Sequence, residues 1–238
     1  MMDPVLNFST PIFMIWVPGN EKSEYYSKKT INSWIKAGYK NIRKIEGSTA
    51  DSYQGIFNFS EYRRYRSGKY REWDPVEKYI WESHWKAWKA ASKLKRGSII
   101  IEHDALFYRG REIHRDTKFY PLYSLGVSHS KKKNNAYGCI AACAYWLHPS
   151  MAENLVGLAN ASNKNPIRAP VDGYIHSQQP WYPWSPISKT YARKYLPVKH
   201  FINPDIGTIK EKLLGQYVSL ENEEDNLSSV RGEEIETL

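Results

Sequence analysis

The sequence predicts an α/β fold with a parallel sheet, and three neighbouring segments predict it. Residues 11–17 read PIFMIWV, a continuous apolar run that suits a buried strand. Residues 21–38 then carry apolar side chains at helical spacing, and residues 41–46 form a second strand-like stretch. A strand, a helix and a strand in this order are typical of a parallel sheet with helices packed on it.

A central strand and two more helices extend this pattern. Asp74 and Pro75 suit the first positions of a helix, which we expect to run to about residue 95. Residues 98–108 read SIIIEHDALFY, and their three consecutive isoleucines predict a strand that is buried on both faces. A third helix is expected over residues 151–159. The predicted sheet therefore has its most apolar strand in the middle.

The chain has an ordinary globular composition, with 41% hydrophobic and 25% charged residues among 238, which excludes a disordered or fibrous protein. We expect one domain over residues 1–220 and an acidic, disordered tail over residues 221–238. The tail carries seven acidic residues and one arginine, a net charge of −6, so residues 1–220 carry +15 within a chain of +9. Such a basic body favours a polyanionic partner or an anionic substrate.

The sequence also predicts a cytoplasmic protein without a membrane span. No apolar run approaches the ~18–20 residues that a membrane span requires, and the first residues lack the basic and small-residue positions of a secretion signal. The two cysteines, Cys139 and Cys143, suit a reducing compartment and are expected to be small buried side chains. The cytoplasm of an infected host fits these features equally.

Two carboxylates, Glu102 and Asp104, come at the polar end of the isoleucine strand. On an extended backbone, side chains two positions apart point to the same side, whereas His103 points to the other. Oxygen donors are the ligands that Mg²⁺ and Mn²⁺ prefer, and open α/β sheets bind ligands at the carboxyl ends of their strands. We therefore predict a divalent-cation site at Glu102 and Asp104; the alternative is a polar strand end without a ligand.

Residues 82–108 combine a Ser-His pair, a tryptophan four residues after the histidine, an apolar strand and an acidic ending. This stretch is similar to the signature of glycosyltransferase family 25, which includes bacterial lipooligosaccharide glycosyltransferases and collagen galactosyltransferase-like domains. Residues 137–156 and 171–174 resemble later motifs of that family, so the likeness extends over residues 10–180. His103 stands where the family has a middle carboxylate, and it would supply a nitrogen ligand instead.

The resemblance implies a type A glycosyltransferase fold, a Rossmann-like mixed sheet flanked by helices. It further implies a nucleotide-sugar donor, such as a UDP-sugar, bound at the carboxyl edge of the sheet with Mn²⁺ or Mg²⁺, and inversion at the anomeric carbon. Residues 10–108 would then bind the donor and residues 109–220 the acceptor. The chemistry is consistent, because a diphosphate leaves readily only when its charge is neutralised.

Four further residues are candidates for this site. Asp172 is our candidate general base, which would take the proton from the acceptor hydroxyl; the alternative is that Asp172 caps an Asp-Gly turn. His176 is a candidate third metal ligand or an ordinary surface histidine. His84 would bind the donor or orient a metal-binding carboxylate, or it is a satisfied core histidine. His103 is assigned to donor binding.

A segment over residues 62–71, YRRYRSGKYR, alternates basic and aromatic side chains. Its cations would contact the donor diphosphate or acceptor phosphates, and its tyrosines would stack on a base or a sugar; the alternative is a solvated loop with its tyrosines packed on the body. Two tryptophans between later prolines are further candidates for an exposed stacking surface. The donor-binding assignments are Arg63 and Arg64, and the acceptor-binding assignments are Arg66, Lys69, Arg71, Trp181 and Trp184.

Several acceptors and functions fit this sequence. The absence of a secretion signal and the basic body favour DNA, such as hydroxymethylcytosine in phage DNA, whose target base would be flipped out of the duplex. A lipooligosaccharide or another cell-surface glycan is the alternative acceptor. A nucleic-acid-binding module without catalysis and a metal-dependent nuclease are the rival functions, the second disfavoured by the scarcity of further acids near residues 98–108.

Overall fold

A computed structural model of the chain describes residues 8–63, 70–107, 122–127, 142–177 and 198–200. The described strands, in chain order, are β1 (Ile12–Trp16), β2 (Ile42–Glu46), β3 (Tyr62–Arg63), β4 (Tyr70–Arg71), β5 (Ser98–Glu102), β6 (Ala105–Phe107), β7 (Leu122–Ser124), β8 (Gly126–Val127), β9 (Ala144–Leu147) and β10 (Val198–His200). The described α-helices are α1 (Glu21–Lys36), α2 (Pro75–Ser92), α3 (Pro149–Asn160) and α4 (Val171–Ser177). The expected acidic tail lies outside the described residues.

The main sheet has five strands in the order β2-β1-β5-β9-β7. Strands β2, β1 and β5 run parallel, whereas β9 is antiparallel to both β5 and β7. This arrangement confirms the predicted α/β class with a mixed sheet flanked by helices. In the part of the chain that the structure describes, no helix is both long and apolar enough to cross a membrane.

The central strands are apolar throughout because helices cover both faces of the sheet. Ile12 and Met14 of β1 pack on one side with Trp34 of α1. Phe13 and Ile15 pack on the other side with α2 and α3. The isoleucines of β5 divide between the two sides in the same way, which is why neither strand shows polar alternation.

Helix α2 begins where the sequence predicts it to begin. The Asp74 side chain accepts a hydrogen bond from the Val76 backbone, and Glu77 completes a capping box. The helix ends at Ser92, three residues before the expected end. Its three tryptophans at helical spacing are all buried and pack with aromatic residues of the neighbouring segments.

The segment around Asp172 is the helix α4, whereas the proline-flanked sequence PVDG over residues 170–173 suggests a polar loop. Val171 and Ile175 are one helical turn apart, and both are buried in the core that α2 and α3 share. The backbone nitrogen of Tyr174 donates to the Pro170 carbonyl at 2.8 Å. Burial of the two apolar side chains thus outweighs the turn preference of the Asp-Gly pair.

Gly97 precedes β5 and lies directly against the indole of Trp146 on β9. A β-carbon at Gly97 would lie 2.2 Å from Cζ2 and 2.5 Å from Cε2 of that buried ring. We therefore expect Gly97→Ala to lower the free energy of unfolding in urea by about 1–3 kcal/mol. Gly157 in α3 has no atom within 4 Å of its added β-carbon, so Gly157→Ala should raise that free energy by about 0.5–1 kcal/mol. Equal effects of the two substitutions would contradict this packing.

Candidate active site

The carboxyl ends of β2, β1 and β5 meet at one edge of the main sheet, which we call the carboxyl edge. Strand β1 leads through α1 to β2 on one side, whereas β5 pairs with the other side of β1. Connections that diverge from neighbouring parallel strands open a crevice at this place, and ligands of α/β proteins bind there. The residues that end these strands are therefore the first candidates for chemistry.

Glu102 is the last residue of β5, and its side chain is partly exposed at the carboxyl edge. One carboxylate oxygen, Oε1, lies 3.2 Å from Nε2 of His84, and 23% of the Glu102 side chain is exposed. The Glu102 backbone nitrogen donates to the Cys143 carbonyl at 2.8 Å. Glu102 is thus fixed through both its backbone and its carboxylate while part of the side chain still faces solvent.

Asp104 lies in a turn rather than in the strand. Strand β5 ends at Glu102, and the chain turns at His103 and Asp104 before β6 begins. The strand does leave the sheet at its polar end as predicted, but the expectation of an extended backbone from Glu102 to Asp104, which would point both carboxylates to one side, is wrong. Asp104 is 3% exposed. The His103 carbonyl accepts a 2.7 Å hydrogen bond from Thr30 of α1, which holds the turn against that helix.

His103 itself presents a buried ring nitrogen. Its Nε2 atom has no hydrogen-bond partner among the residues that the structure describes. The assignments of His103 to donor binding and to metal ligation both stay predictions.

Asp172 comes close to the end of β5 through a short backbone turn. It lies in the first turn of α4, is exposed, and its Oδ1 accepts a hydrogen bond from the Ala142 backbone. The next residue, Cys143, accepts from Glu102 as described above. The Ala142–Cys143 turn therefore lies between the predicted base and the predicted metal ligand, which are 70 residues apart in the sequence.

The thiol of Cys143 lies in a buried and negatively charged environment. Burial raises the pKa of its thiol well above the ordinary value, and the negative charges of Glu102, Asp104 and Asp172 raise this pKa further. All three predicted acidic residues are thus close enough to act on one sulfur atom. The raised pKa keeps the thiol protonated at neutral pH. The prediction of a buried cysteine is confirmed for Cys143, and Cys139 lies outside the described residues.

His84 lies behind Glu102 rather than at the surface. It is completely buried in α2, with Nε2 on Glu102 and Nδ1 at 2.9 Å from the Tyr145 hydroxyl. Its assignment to direct donor binding is wrong, because a ligand cannot reach a ring without exposed surface. The other predicted role, orienting a metal-binding carboxylate, matches this position.

Two residues next to His84, Glu82 and Ser83, hold the segment that follows β2, and neither was among the predicted site residues. Glu82 is fully buried, and it accepts hydrogen bonds from the Ser48 hydroxyl at 2.6 Å and from the Gln54 backbone at 3.1 Å. The Ser83 hydroxyl accepts from the Ser48 backbone at 2.8 Å. One turn of α2 therefore contacts the ends of both β2 and β5. The feature of the sequence that could have identified Glu82 is an acidic residue on the apolar face of a predicted helix.

We expect Glu82→Gln to destabilise the protein by about 1.5–3 kcal/mol, the range for hydrogen bonds to charged groups. The amide nitrogen that replaces one carboxylate oxygen cannot accept a hydrogen bond, so the Ser48 hydroxyl or the Gln54 backbone loses its acceptor there. Urea unfolding measures the change. Glu153→Gln on the exposed side of α3 is the matched control and should change stability by less than about 0.5 kcal/mol. A loss in the control as large as that in Glu82→Gln would contradict this interpretation.

Arg71 contacts the start of α2. Its guanidinium donates to the hydroxyl of Tyr62 and forms an ion pair with Glu77. Tyr62 is itself buried, whereas Tyr70 is 67% exposed. Arg71 thus has a structural role, and because 30% of its side chain is exposed, its assignment to acceptor binding stays a prediction. Tyr70 is the described tyrosine of this segment that is available for stacking.

The remaining predicted residues are placed only in part. Arg63 belongs to β3 and His176 to α4, but the structure describes only the backbone of each. Five candidates lie outside the described residues: Arg64, Arg66, Lys69, Trp181 and Trp184.

The acidic residues of this site fit a magnesium-type ion better than a closed metal centre. Within the described ranges, no group of three or more His, Cys, Asp or Glu side chains has metal-holding geometry. Mg²⁺ commonly takes only one or two carboxylates and completes its shell with water and substrate phosphates. A carboxylate that is partly exposed and held from behind by a buried histidine, as Glu102 is, suits that role.

Comparison of the sequence with protein-family models finds no match. Comparison with curated proteins likewise finds no significant match. The resemblance to glycosyltransferase family 25 therefore stays a prediction.

Proposed function

We propose that this protein is an inverting, metal-dependent glycosyltransferase with a type A fold, which transfers a sugar from a nucleotide donor to an acceptor hydroxyl. The observation that carries the proposal is that Glu102, oriented by His84 at the carboxyl edge, and the exposed Asp172 are joined through the Ala142–Cys143 turn. Asp172 lies 70 residues after Glu102 in the sequence, yet it accepts a hydrogen bond from the Ala142 backbone, and the Glu102 backbone donates to the carbonyl of the next residue, Cys143. Two oxygen ligands and one base are what metal-assisted displacement at a sugar carbon requires.

In this proposal, Glu102 would hold Mn²⁺ or Mg²⁺ together with the diphosphate of the donor, and Asp104, which is 3% exposed, would have to turn outward to be the second ligand. When bound, the cation neutralises the charge that develops on the leaving diphosphate. The protein's contribution is to keep the Glu102 carboxylate in one orientation, through His84 and through the backbone bond to Cys143. A preorganised carboxylate does not have to reorient when the donor binds.

Asp172 serves as the general base. Its side chain is exposed, so that an acceptor hydroxyl can reach it, and the Ala142 backbone fixes one of its oxygens. Removal of the hydroxyl proton makes the acceptor oxygen a nucleophile, which attacks the anomeric carbon from the side opposite the diphosphate. The new glycosidic bond forms as the bond to the diphosphate breaks, and the configuration inverts.

We favour DNA that contains a hydroxymethylated base as the acceptor. The charge of +15 on residues 1–220 suits a phosphate backbone, and the exposed ring of Tyr70 is suited to stacking on a displaced base. A cell-surface glycan is the alternative acceptor. DNA affinity that falls steeply with added salt would favour DNA, and equal affinity at low and high salt would argue against it.

Calorimetric titration with a panel of UDP-sugars tests the proposed function. The wild-type protein should bind at least one donor in the presence of Mn²⁺ or Mg²⁺, and binding should disappear when EDTA removes the cation. Absence of binding to every donor with either cation would contradict the proposal. If DNA then still bound, and EDTA did not change its affinity, a nucleic-acid-binding module without catalysis would be the better account.

A further inference from the structure

We propose that Tyr145 is a positioning residue, which fixes the tautomer of His84 and thereby holds Glu102 in the orientation that binds the cation and donor. The inference rests on the proposed function for the identity of the ligand. It rests on four buried or partly buried side chains for its geometry: Trp88 and His84 on α2, Tyr145 on β9 and Glu102 at the end of β5.

The directions of these hydrogen bonds follow from the donor inventory. The indole nitrogen of Trp88 can only donate, so the Tyr145 oxygen accepts this bond, of 2.8 Å. The single hydroxyl proton of Tyr145 then has Nδ1 of His84, at 2.9 Å, as its acceptor. His84 therefore carries its proton on Nε2 and donates it to Oε1 of Glu102 at 3.2 Å. Tyr145 and the neutral His84 ring each accept one hydrogen bond and donate one, so all three bonds run in one direction from Trp88 to Glu102.

Burial stabilises this series of hydrogen bonds from Trp88 to Glu102. Trp88, His84 and Tyr145 are all buried, so water does not compete for their polar atoms. Burial raises the pKa of the Tyr145 hydroxyl well above its ordinary value, which keeps the hydroxyl protonated and able to donate. His84 and Trp88 lie one helical turn apart and contact the same oxygen atom, so both sides of Tyr145 are occupied.

The same region of the chain also fixes the backbone of Glu102. The Cys143 carbonyl, two residues before Tyr145, accepts from the Glu102 backbone, and Tyr145 lies opposite Ile100 in the strand pairing. A displacement of Tyr145 would therefore alter the carboxylate through His84 without breaking the β5–β9 pairing. This separation allows the hydroxyl to be tested apart from the sheet.

Tyr145→Phe tests the inference because phenylalanine keeps the ring and removes only the hydroxyl. We expect nitrogen NMR of wild-type protein to show a single His84 tautomer with the proton on Nε2, and Tyr145→Phe to lose this single state. The affinity for Mn²⁺ with UDP-sugar should fall about 10–100-fold, as expected for loss of an outer-shell contact. Tyr39→Phe removes another buried tyrosine hydroxyl, on the opposite face of the sheet, and should leave both readouts unchanged.

The outcomes separate this inference from the proposed function. A wild-type His84 that carries its proton on Nδ1 would overturn the inference without any variant. Retention of the Nε2 tautomer in Tyr145→Phe, or an altered tautomer with unchanged donor affinity, would also overturn it. If the wild-type protein bound no donor, the proposed function would fail. The NMR comparison would then decide the inference alone, because loss of the tautomer supports it and retention refutes it.

Discussion

Glu102→Gln should lower the rate of sugar transfer by about 10²–10³-fold, the cost of removing one preorganised electrostatic contact at a reacting site. Glutamine has nearly the same shape and retains an oxygen that can accept from Nε2 of His84, so the core around α2 should remain intact. What is lost is the negative charge that holds the cation beside the donor diphosphate. Initial rates and calorimetric donor affinity with Mn²⁺ measure the two parts of the effect.

Glu46→Gln is the matched control for this substitution. Glu46 ends β2 at the same edge of the sheet and is exposed, but it belongs to no part of the proposed site. Its loss removes one negative charge from the carboxyl edge and should leave both measurements within about twofold of the wild-type values, because exposed charges interact weakly. Equal losses in the two variants would mean that general negative charge at the edge, rather than Glu102, supports the reaction.

Asp172→Asn should lower transfer by about 10²–10⁴-fold, the range for general base catalysis, while donor affinity stays close to that of wild type. The asparagine side chain retains an oxygen that can accept from the Ala142 backbone, so the contact between α4 and the turn before β9 is preserved. The amide cannot take up the acceptor proton. Single-turnover rates at saturating donor separate this chemical defect from a binding defect.

Asp51→Asn provides the control for the base. Asp51 is exposed in the segment after β2, and its loss should leave the single-turnover rate unchanged. An unchanged rate in Asp172→Asn would remove Asp172 from the mechanism. A fall in donor affinity that matched the fall in rate would instead assign Asp172 to binding.

The elements of the fold were predictable where a local pattern decides them. The apolar run of β1, the capping residues Asp74 and Pro75 of α2, and the three isoleucines of β5 each act within a few residues, and the structure places a strand or a helix at each. Helix α4 was missed because its two apolar anchors, Val171 and Ile175, gain their stabilisation from α2 and α3. The turn preference of the Asp-Gly pair is visible in the sequence, whereas the packing of Val171 and Ile175 on α2 and α3 is not.

The candidate site was predictable as a set of residue types but not as a set of contacts. The position of Glu102 after a buried strand marks it from sequence alone. Its contact with His84, 18 residues away, and the contact of Asp172 with Ala142, 30 residues away, depend on the sheet pairing and helix packing. The same holds for Arg71: its charge suggests a contact with a ligand, whereas its ion pair with Glu77 depends on how the start of α2 packs.

Mass spectrometry of the acceptor after reaction tests the central claim most directly. Hydroxymethylated DNA and, separately, lipooligosaccharide would be incubated with the protein, mixed nucleotide-sugars and Mn²⁺. The account predicts that one acceptor gains the mass of a single sugar residue, that EDTA prevents the gain, and that the DNA is the acceptor modified. Unmodified DNA and unmodified lipooligosaccharide with every donor, in a preparation shown to be folded, would contradict it.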